Sequence, residues 1–330
     1  MIRVESSRNE LGMIANNPKL HVVMYHYVRD LPRTRFPRIK GITLREFRTQ
    51  IAWLASHYEM TSLHRALEFL RGDYTPAGDL CVLTFDDGLK EHYTDVMPIL
   101  AEYSIQGIFG VITSCIENHI IAPVHMNHFL MAELDFDTYR SVFIRRLEEM
   151  KPGALTFAYV DPQVAQQSYP LDTREVATFK FLFNFSLEPC VRDAIVKSIF
   201  DEYFGDQESF ACELYMSWEE VREVQNAGML VAGHTHWHRP LSTLTDAELD
   251  TDLSTSRALL DQNLAPQDVW PFSYPYGKKN SYTEAVVRLL PRLGFTCAFN
   301  TECGANSTGA HVFELNRVDC NGAIQQQLGC

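Results

Sequence analysis

Residues 80–88 read LCVLTFDDG, and this stretch decides the fold class. The run Leu80–Phe85 predicts a strand that ends in the turn Asp86-Asp87-Gly88, where glycine allows a tight bend. Side chains alternate along a strand, so the two carboxylates point in different directions. One of them can bind a metal ion while the other acts beside it as a base. Taken alone, however, an Asp-Asp-Gly turn is most often only a turn.

Short apolar runs alternate with amphipathic segments on both sides of this stretch, which is typical of βα units. Residues 43–57 illustrate the helical type, with Thr43 as a cap, Glu46 three residues later and one apolar face. Seven strands are predicted, over residues 20–28, 80–85, 105–112, 229–232, 269–274, 295–299 and 312–318. The main helices between them are predicted over residues 93–103, 217–227, 246–263 and 281–293. Parallel strands with right-handed crossovers indicate an α/β fold, a barrel or a broken barrel.

Residues 114–215 interrupt this rhythm and are rich in Phe, Leu, Glu and Arg. Within them, residues 137–150 and 190–204 predict helices. We therefore expect residues 1–330 to form one domain that carries residues 114–215 as a helical insert. Two interpretations are open, an extra layer packed on the barrel or a lid that selects the substrate at the active face.

A histidine cluster follows another predicted strand, because residues 233–238 read GHTHWH. His234 and His238 lie on one face if the segment turns helically, and both imidazoles then reach one cation. The alternative is a loop of solvated histidines. One aspartate and two histidines leave open positions on a zinc-like ion, as catalytic rather than structural sites do. Such an ion lowers the pKa of a bound water, and a free carboxylate next to it can take the proton.

A third cluster, FSYPYG at residues 272–277, also follows a predicted strand. Pro275 restricts φ and Gly277 permits a bend, so a backbone N–H can be aimed into a cavity. A donor placed in this way stabilises a developing oxyanion. The alternative is a plain exit from a strand into a loop.

Composition narrows the choice of partners and compartment. The 330 residues contain 29 Lys and Arg against 42 Asp and Glu, a net charge of −13, which argues against nucleic acid and anionic membrane surfaces. No apolar stretch is long enough to span a membrane, and the N-terminal residues lack the apolar core of a signal peptide, so we expect a cytoplasmic protein. Eight dispersed cysteines without a C-x-x-C motif predict free thiols in a reducing compartment.

Taken together, in this chain order, the three clusters resemble the NodB-homology polysaccharide deacetylases, carbohydrate esterase family 4. The matching elements are TFDDG, H-T-x-x-H and Y-P-Y-G, together with Met24-Tyr25-His26-Tyr27 in the first strand. The resemblance covers residues 20–319 apart from the insert. It implies a distorted (β/α)7 barrel and a single catalytic domain. The implied reaction is metal-dependent hydrolysis of an N-acetyl, sometimes O-acetyl, group, so we expect an N-acylated sugar or small molecule as the substrate.

The resemblance also implies roles for individual residues. Asp86 is similar in position to the general base, and Asp87, His234 and His238 to the metal ligands. The backbone N–H of Tyr276 is similar in position to the oxyanion donor. The expected cofactor is a divalent metal, zinc in the first place, with cobalt and nickel as alternatives.

The chain departs from the family pattern at two points. Many members carry an arginine that holds the base, two residues before the proline of the third motif; Ser273 stands there, and Arg317 could replace it. The alternative is that Arg317 forms an ordinary ion pair. Many members also carry a late histidine that acts as the general acid. The candidates here are His26 first, then His236 and His311, and the alternative for His26 is a hydrogen-bonded core histidine.

Three other functions remain compatible with the residues. One is an amide hydrolase of the same fold that removes a formyl group or acts on a non-sugar amide. Another is an inactive carbohydrate-binding module. The third is an assembly protein that uses FKFLFNF at residues 179–185, provided that this stretch is exposed. The sequence does not indicate an oligomeric state.

Overall fold

The computed structural model describes residues 17–157 and 160–323. Its centre is a parallel sheet. The strands are β1 Leu20–Tyr25, β2 Glu59–Met60, β3 Leu80–Phe85, β4 Gly107–Val111, β5 Leu230–Gly233, β6 Pro271–Ser273, β7 Cys297–Phe299 and β8 Val318–Asp319. Their order in the sheet is β7-β6-β5-β4-β3-β1-β8, and β2 pairs with the beginning of β3. The longest pairing joins β1 and β3, from Leu20 opposite Leu80 to Tyr25 opposite Phe85.

One segment connects the two ends of this strand order. Leu315 exchanges backbone hydrogen bonds with β7, and three residues later Val318 pairs with Val23 of β1. The predicted strand over residues 312–318 is therefore wrong for most of its length, because the segment changes partner between Leu315 and Val318 and cannot stay in one ladder. The result is a distorted parallel barrel surrounded by helices, which confirms the predicted α/β fold class.

Most predicted helices are present within a few residues. They are α1 Leu44–His57, α2 Leu63–Arg71, α3 Met97–Glu102, α4 Thr113–Glu117, α5 Pro123–Glu133, α6 Phe136–Met150, α7 Ala154–Phe157, α8 Pro162–Ser168, α9 Arg174–Phe181, α10 Pro189–Phe204, α11 Gln207–Leu214, α12 Trp218–Asn226, α13 Asp246–Asn263, α14 Glu284–Leu289 and α15 Cys320–Ala323. The predicted capping box of α1 is confirmed, since Thr43 Oγ1 accepts from the Glu46 N–H and the Glu46 carboxylate accepts from the Thr43 N–H.

Shorter turns modify some of the predicted boundaries. One π-helical turn, His92–Val96, precedes α3, and another, Leu182–Ser186, follows α9. Turns of 3-10 helix occur at Leu31–Arg33, Leu241–Thr243 and Leu290–Leu293. The helix predicted over residues 281–293 begins late, because the Ser281 N–H and hydroxyl both donate to the Lys278 carbonyl of the preceding turn. It ends as a 3-10 turn at Pro291, which lacks a backbone donor.

The region predicted as an insert contains helices α4 to α11 and has a hydrophobic cluster of its own. Aromatic residues such as Tyr139, Phe143 and Phe200 form this cluster, and barrel-side residues such as Leu89 and Ile112 join it. Phe179 and Phe183 are buried in it, so the 179–185 stretch does not provide the exposed surface that an assembly role requires. The division into one domain with an insert stays a prediction.

Two expectations from composition can be compared with the structure. Within the described ranges, no helix combines the length and the apolar character needed to cross a bilayer. Cys303 is disulfide-bonded, so the expectation of free thiols is wrong at that position. Cysteine spacing could not indicate this, because disulfide formation depends on the distance between the residues in space. Free thiols are found at Cys81, Cys115, Cys190, Cys212, Cys297 and Cys320.

Candidate metal and catalytic site

The predicted site residues meet at one end of the barrel. His26 follows β1, Asp86 and Asp87 follow β3, and His234 follows β5. Because the strands are parallel, their carboxyl ends lie at the same edge of the sheet. The parallel topology therefore explains why motifs far apart in the chain come together.

Three donor atoms converge at this edge. Asp87 Oδ1 lies 3.4 Å from both His234 Nε2 and His238 Nε2, and the two Nε2 atoms are 3.1 Å apart. A tetrahedral zinc ion with bonds of about 2.0–2.1 Å holds neighbouring donors roughly 3.3–3.4 Å apart. All three side chains are buried, and Asp87 Oδ1 has no hydrogen-bond partner among the described residues. This set of donors therefore fits a divalent cation.

A hydrogen bond orients the His234 imidazole toward the shared point. His234 Nδ1 lies 2.8 Å from the Ser273 carbonyl, which can only accept, so Nδ1 carries the proton and the Nε2 lone pair is free. The backbone N–H of His238 donates to Thr235 Oγ1 at 2.9 Å, whereas Nδ1 of its ring has no partner among the described residues. Residues 234–238 form a bend rather than the helical turn that we expected. The bend arises because Thr235 and His238 have positive φ, 66° and 52°, which no right-handed helix contains.

Backbone strain is concentrated at the motifs. In the described part of the chain, six non-glycine residues have positive φ, and four of them belong to the clusters, namely Asp87, Thr235, His238 and Tyr276. Such conformations cost about 1–3 kcal/mol each and persist only where the surrounding structure imposes them. Their position at the convergent side chains is the pattern expected of a functional site.

Neighbouring helices hold the histidine bend in place. Asp252 of α13 accepts hydrogen bonds from the N–H groups of His236, at 2.7 Å, and Trp237, at 3.0 Å. From α4, the Thr113 N–H donates to the Thr235 carbonyl at 3.2 Å. Burial raises the pKa of Asp252, and these backbone donors oppose the shift. Asp252 was not among the predicted site residues. The signal for it is a carboxylate on the buried face of α13, next to Leu253 and three residues after Leu249.

Arg317 pairs with the predicted base. Its Nη1 lies 2.7 Å from Asp86 Oδ2 and 3.5 Å from Ser273 Oγ, and its Nε donates to the Asn300 carbonyl. Burial by itself would raise the pKa of Asp86, but the Arg317 guanidinium holds that pKa below its usual value. Asp86 is therefore an ionised carboxylate with an adjacent fixed cation. The guanidinium lies beside the serine that occupies the family's arginine position.

The three candidate acids have different surroundings. His26 Nε2 lies 4.0 Å from Asp86 Oδ2, and the His26 side chain is 40% exposed, so it is not a core histidine. His236 is buried and its Nδ1 pairs with Thr113 Oγ1 at 2.9 Å. His311 is exposed and lines a separate cleft beside α13 and α14. Of these three, His26 is the one that faces the base.

The insert contributes a histidine that we did not predict. His125 of α5 places Nε2 3.1 Å from Asp87 Oδ2, and both side chains are buried. Burial by itself would raise the pKa of Asp87, but the adjacent His125 holds it well below the usual value. The available signal was the pair His125 and His128, three residues apart on one helix face.

The insert also contacts the third motif. The Tyr276 hydroxyl donates to Asn184 Oδ1 at 3.0 Å, and the Tyr276 ring lies 5.3 Å from that of His238. The Tyr276 carbonyl accepts from the Thr301 hydroxyl at 2.8 Å. With φ at +63°, this residue forms the bend that Pro275 and Gly277 led us to expect. Donation by its N–H to an oxyanion stays a prediction.

Comparisons with known proteins identify the family of this chain. The sequence model of the polysaccharide deacetylase family matches residues 73–298. YxkH of Bacillus subtilis (strain 168), assigned to the polysaccharide deacetylases, is 20% identical over 301 residues, which are 91% of this chain and 71% of YxkH. Poly-beta-1,6-N-acetyl-D-glucosamine N-deacetylase of Escherichia coli (strain K12) is 29% identical over 137 residues, which are 40% of this chain and 20% of that protein.

Solved structures share the fold at low sequence identity. IcaB from Ammonifex degensii superposes with a TM-score of 0.57 at 19% identity, covering 95% of this chain and 97% of IcaB. The Streptococcus pyogenes deacetylase PplD, solved in complex with acetate, gives a TM-score of 0.55 at 16% identity, covering 94% of this chain and 98% of PplD. The family model spans more than half of the sequence, and the chain belongs to the polysaccharide deacetylase family, the NodB-homology group of carbohydrate esterase family 4.

Proposed function

We propose that this protein is a metal-dependent hydrolase that removes the N-acetyl group from an amino sugar. The observation that carries the proposal is the convergence of Asp87, His234 and His238, whose donor atoms lie 3.1–3.4 Å apart beside the Asp86 carboxylate. A divalent cation held there, zinc first and cobalt or nickel as alternatives, supplies Lewis-acid polarisation of an acyl carbonyl and of a water molecule.

The protein's own groups divide the proton transfers between them. Asp86 accepts the proton of the attacking water, and the buried Arg317 keeps this carboxylate ionised and oriented. The Tyr276 N–H donates to the oxygen that becomes negative during attack. His26, whose partly exposed ring lies 4.0 Å from Asp86, protonates the leaving amine, because an amide anion is a very poor leaving group.

The choice of an amino sugar rests on the family and on its relatives. The Escherichia coli relative is named for removing N-acetyl groups from a glucosamine polymer, and 137 of its residues match this chain. Another N-acyl group, such as formyl, fits the same site chemistry. Measuring acetate and formate release from matched N-acylated glucosamines distinguishes the two, and we expect acetate. The cytoplasmic location stays a prediction.

Substitution of the metal ligands tests the proposal. We expect Asp87→Ala and His234→Ala to lose both bound metal and turnover, because two donors cannot retain the ion. His236→Gln is the matched control within the same motif, since His236 is directed toward Thr113. Metal content by elemental analysis and acetate release are the measurements. A metal-free Asp87→Ala protein with wild-type turnover would exclude metal-dependent hydrolysis.

Two further variants separate base from acid. Asp86→Asn should retain the metal and lose about 100-fold or more in kcat, because the amide cannot accept the proton. His26→Ala should lower kcat with little change in metal content, and His311→Ala should leave kcat unchanged. Full activity of Asp86→Asn contradicts the base assignment, and unchanged activity of His26→Ala at every pH contradicts the acid assignment.

A further inference from the structure

We infer that the helical insert controls metal binding through His125, a positioning residue that holds the outer oxygen of Asp87. The inference rests on the proposed metal site and adds to it a residue from outside the three motifs. His125 lies on α5, in the part of the chain that interrupts the barrel.

The Asp87 carboxylate determines which nitrogen of His125 carries a proton. Asp87 Oδ2 can only accept, so His125 Nε2, 3.1 Å away, is the donor. In that tautomer Nδ1 is the acceptor, and it lies 2.5 Å from the Tyr215 hydroxyl. The hydroxyl oxygen in turn accepts from the Ala122 N–H at 3.1 Å. A chain of hydrogen bonds therefore runs from Ala122 through Tyr215 and His125 to Asp87.

The two oxygens of the Asp87 carboxylate have different partners. Oδ2 accepts from His125, whereas Oδ1 faces the Nε2 atoms of His234 and His238. A carboxylate held by one oxygen presents the other in a fixed direction, as hydrogen-bonded ligands of metal ions generally do. Both His125 and Asp87 are buried, so water does not compete for the contact.

Both ends of the insert contact the turn that carries Asp87. His125 comes from the first part of the insert, and Tyr215 follows its last helix, α11. Tyr215 forms an antiparallel bridge with Leu89, and the Met216 N–H donates to the Gly88 carbonyl at 2.9 Å. Metal binding and the packing of the insert against this turn should therefore stabilise each other, because the coupling between two such equilibria is reciprocal.

Zinc affinity tests the inference. Competition with a chromogenic chelator gives the Kd for Zn²⁺ in the full-length protein. We expect His125→Ala to weaken binding by about 10–100-fold, the usual effect of removing a group that orients a ligand. His125→Gln, which restores an N–H donor of similar reach, should recover most of the affinity. His128→Gln is the matched control one turn further along α5, where Nδ1 contacts Tyr27 rather than Asp87.

Limited proteolysis provides a readout that does not depend on activity. Added Zn²⁺ should slow cleavage within the insert in the wild type and in His128→Gln, and much less in His125→Ala. The thermal midpoint without metal is measured for every variant. If His125→Ala does not fold, Tyr215→Phe replaces it and removes only the hydroxyl. We expect it to weaken Zn²⁺ binding and to lower the metal-free midpoint, because the buried Ala122 N–H loses its acceptor, so Zn²⁺ affinity is measured well below that midpoint.

Several outcomes would overturn the inference. Wild-type Zn²⁺ affinity in folded His125→Ala would do so. The inference would also be overturned if His125→Gln lost as much Zn²⁺ affinity and as much metal-free thermal midpoint as His125→Ala. That result is expected of a histidine with a purely structural role. Wild-type affinity in Tyr215→Phe would overturn the chain of hydrogen bonds. Failure of the wild type to bind any metal would instead contradict the proposed function, so the two failures are distinguishable.

Discussion

Arg317 has no exposed side-chain surface, and its charge is balanced mainly by Asp86. Removing one partner of a buried ion pair costs about 3–5 kcal/mol, because the other charge remains desolvated. We expect Arg317→Ala to lose about this much stability and most of its turnover. Arg317→Lys keeps the charge but loses the contact of Nε with Asn300, so it should be intermediate. Urea unfolding and acetate release measure the two effects, and wild-type stability of Arg317→Ala would contradict the paired role.

His92 should make stability depend on pH. It is fully buried and donates from Nε2 to the His26 carbonyl, and burial lowers its pKa from 6.5 to about 4. Between these two values the unfolded chain binds a proton that the folded protein does not bind. Stability is therefore lost as the pH falls from about 6.5 towards 4, by at most roughly 3.4 kcal/mol at 1.36 kcal/mol per pH unit.

The variant His92→Gln isolates this effect, because glutamine keeps an N–H donor but does not titrate. We expect its unfolding free energy to fall less than that of the wild type between pH 7 and pH 4.5. Urea unfolding at both pH values is the measurement, and His57→Gln on exposed α1 surface is the control. Identical pH dependence in the wild type and His92→Gln would show that burial does not perturb this histidine.

At the scale of elements, α13 supports the histidine bend through one carboxylate. Asp252→Ala leaves the N–H groups of His236 and Trp237 without their acceptor, at a cost of about 1–3 kcal/mol each. We expect lower stability. We also expect weaker metal binding, because the next residue after Trp237 is His238, one of the proposed metal ligands. Asp250→Ala, on the exposed side of the same helix, is the matched control and should resemble the wild type. If Asp252→Ala and Asp250→Ala were equally stable, Asp252 would not be holding the histidine bend.

Elements with a local signal were predictable, and elements that depend on distant partners were not. The capping residues of α1 lie within four positions of one another, so periodicity and capping predicted it. The strand predicted over residues 312–318 has an apolar pattern, yet it changes partner between β7 and β1. Its hydrogen bonds depend on two other strands, and residue pattern alone does not contain that information.

At the scale of the whole molecule, the core of the insert should influence the barrel site. Phe183 is fully buried between Phe143 and Arg192, and the next residue, Asn184, accepts from the Tyr276 hydroxyl. Phe183→Ala should cost about 3–5 kcal/mol and should also lower turnover, because Asn184 loses its support.

The matched control for this prediction is Phe181→Ala, at a half-buried position of the same segment. It should lose much less stability and keep its turnover. Urea unfolding and acetate release are again the measurements. Wild-type turnover in a destabilised Phe183→Ala protein would show that the insert core and the third motif are independent.

Local patterns in the chain were sufficient to predict the alternation of strands and helices, the α/β class and a candidate site that includes Asp86, Asp87, His234 and His238. These features are local, since each depends on periodicity or on a short motif at the end of a strand. Three further features are visible only in the folded protein: Arg317 pairs with Asp86, the histidine motif is a bend, and His125 contacts Asp87. Those contacts join residues tens to hundreds of positions apart, and such proximity results from packing and leaves no local pattern in the chain.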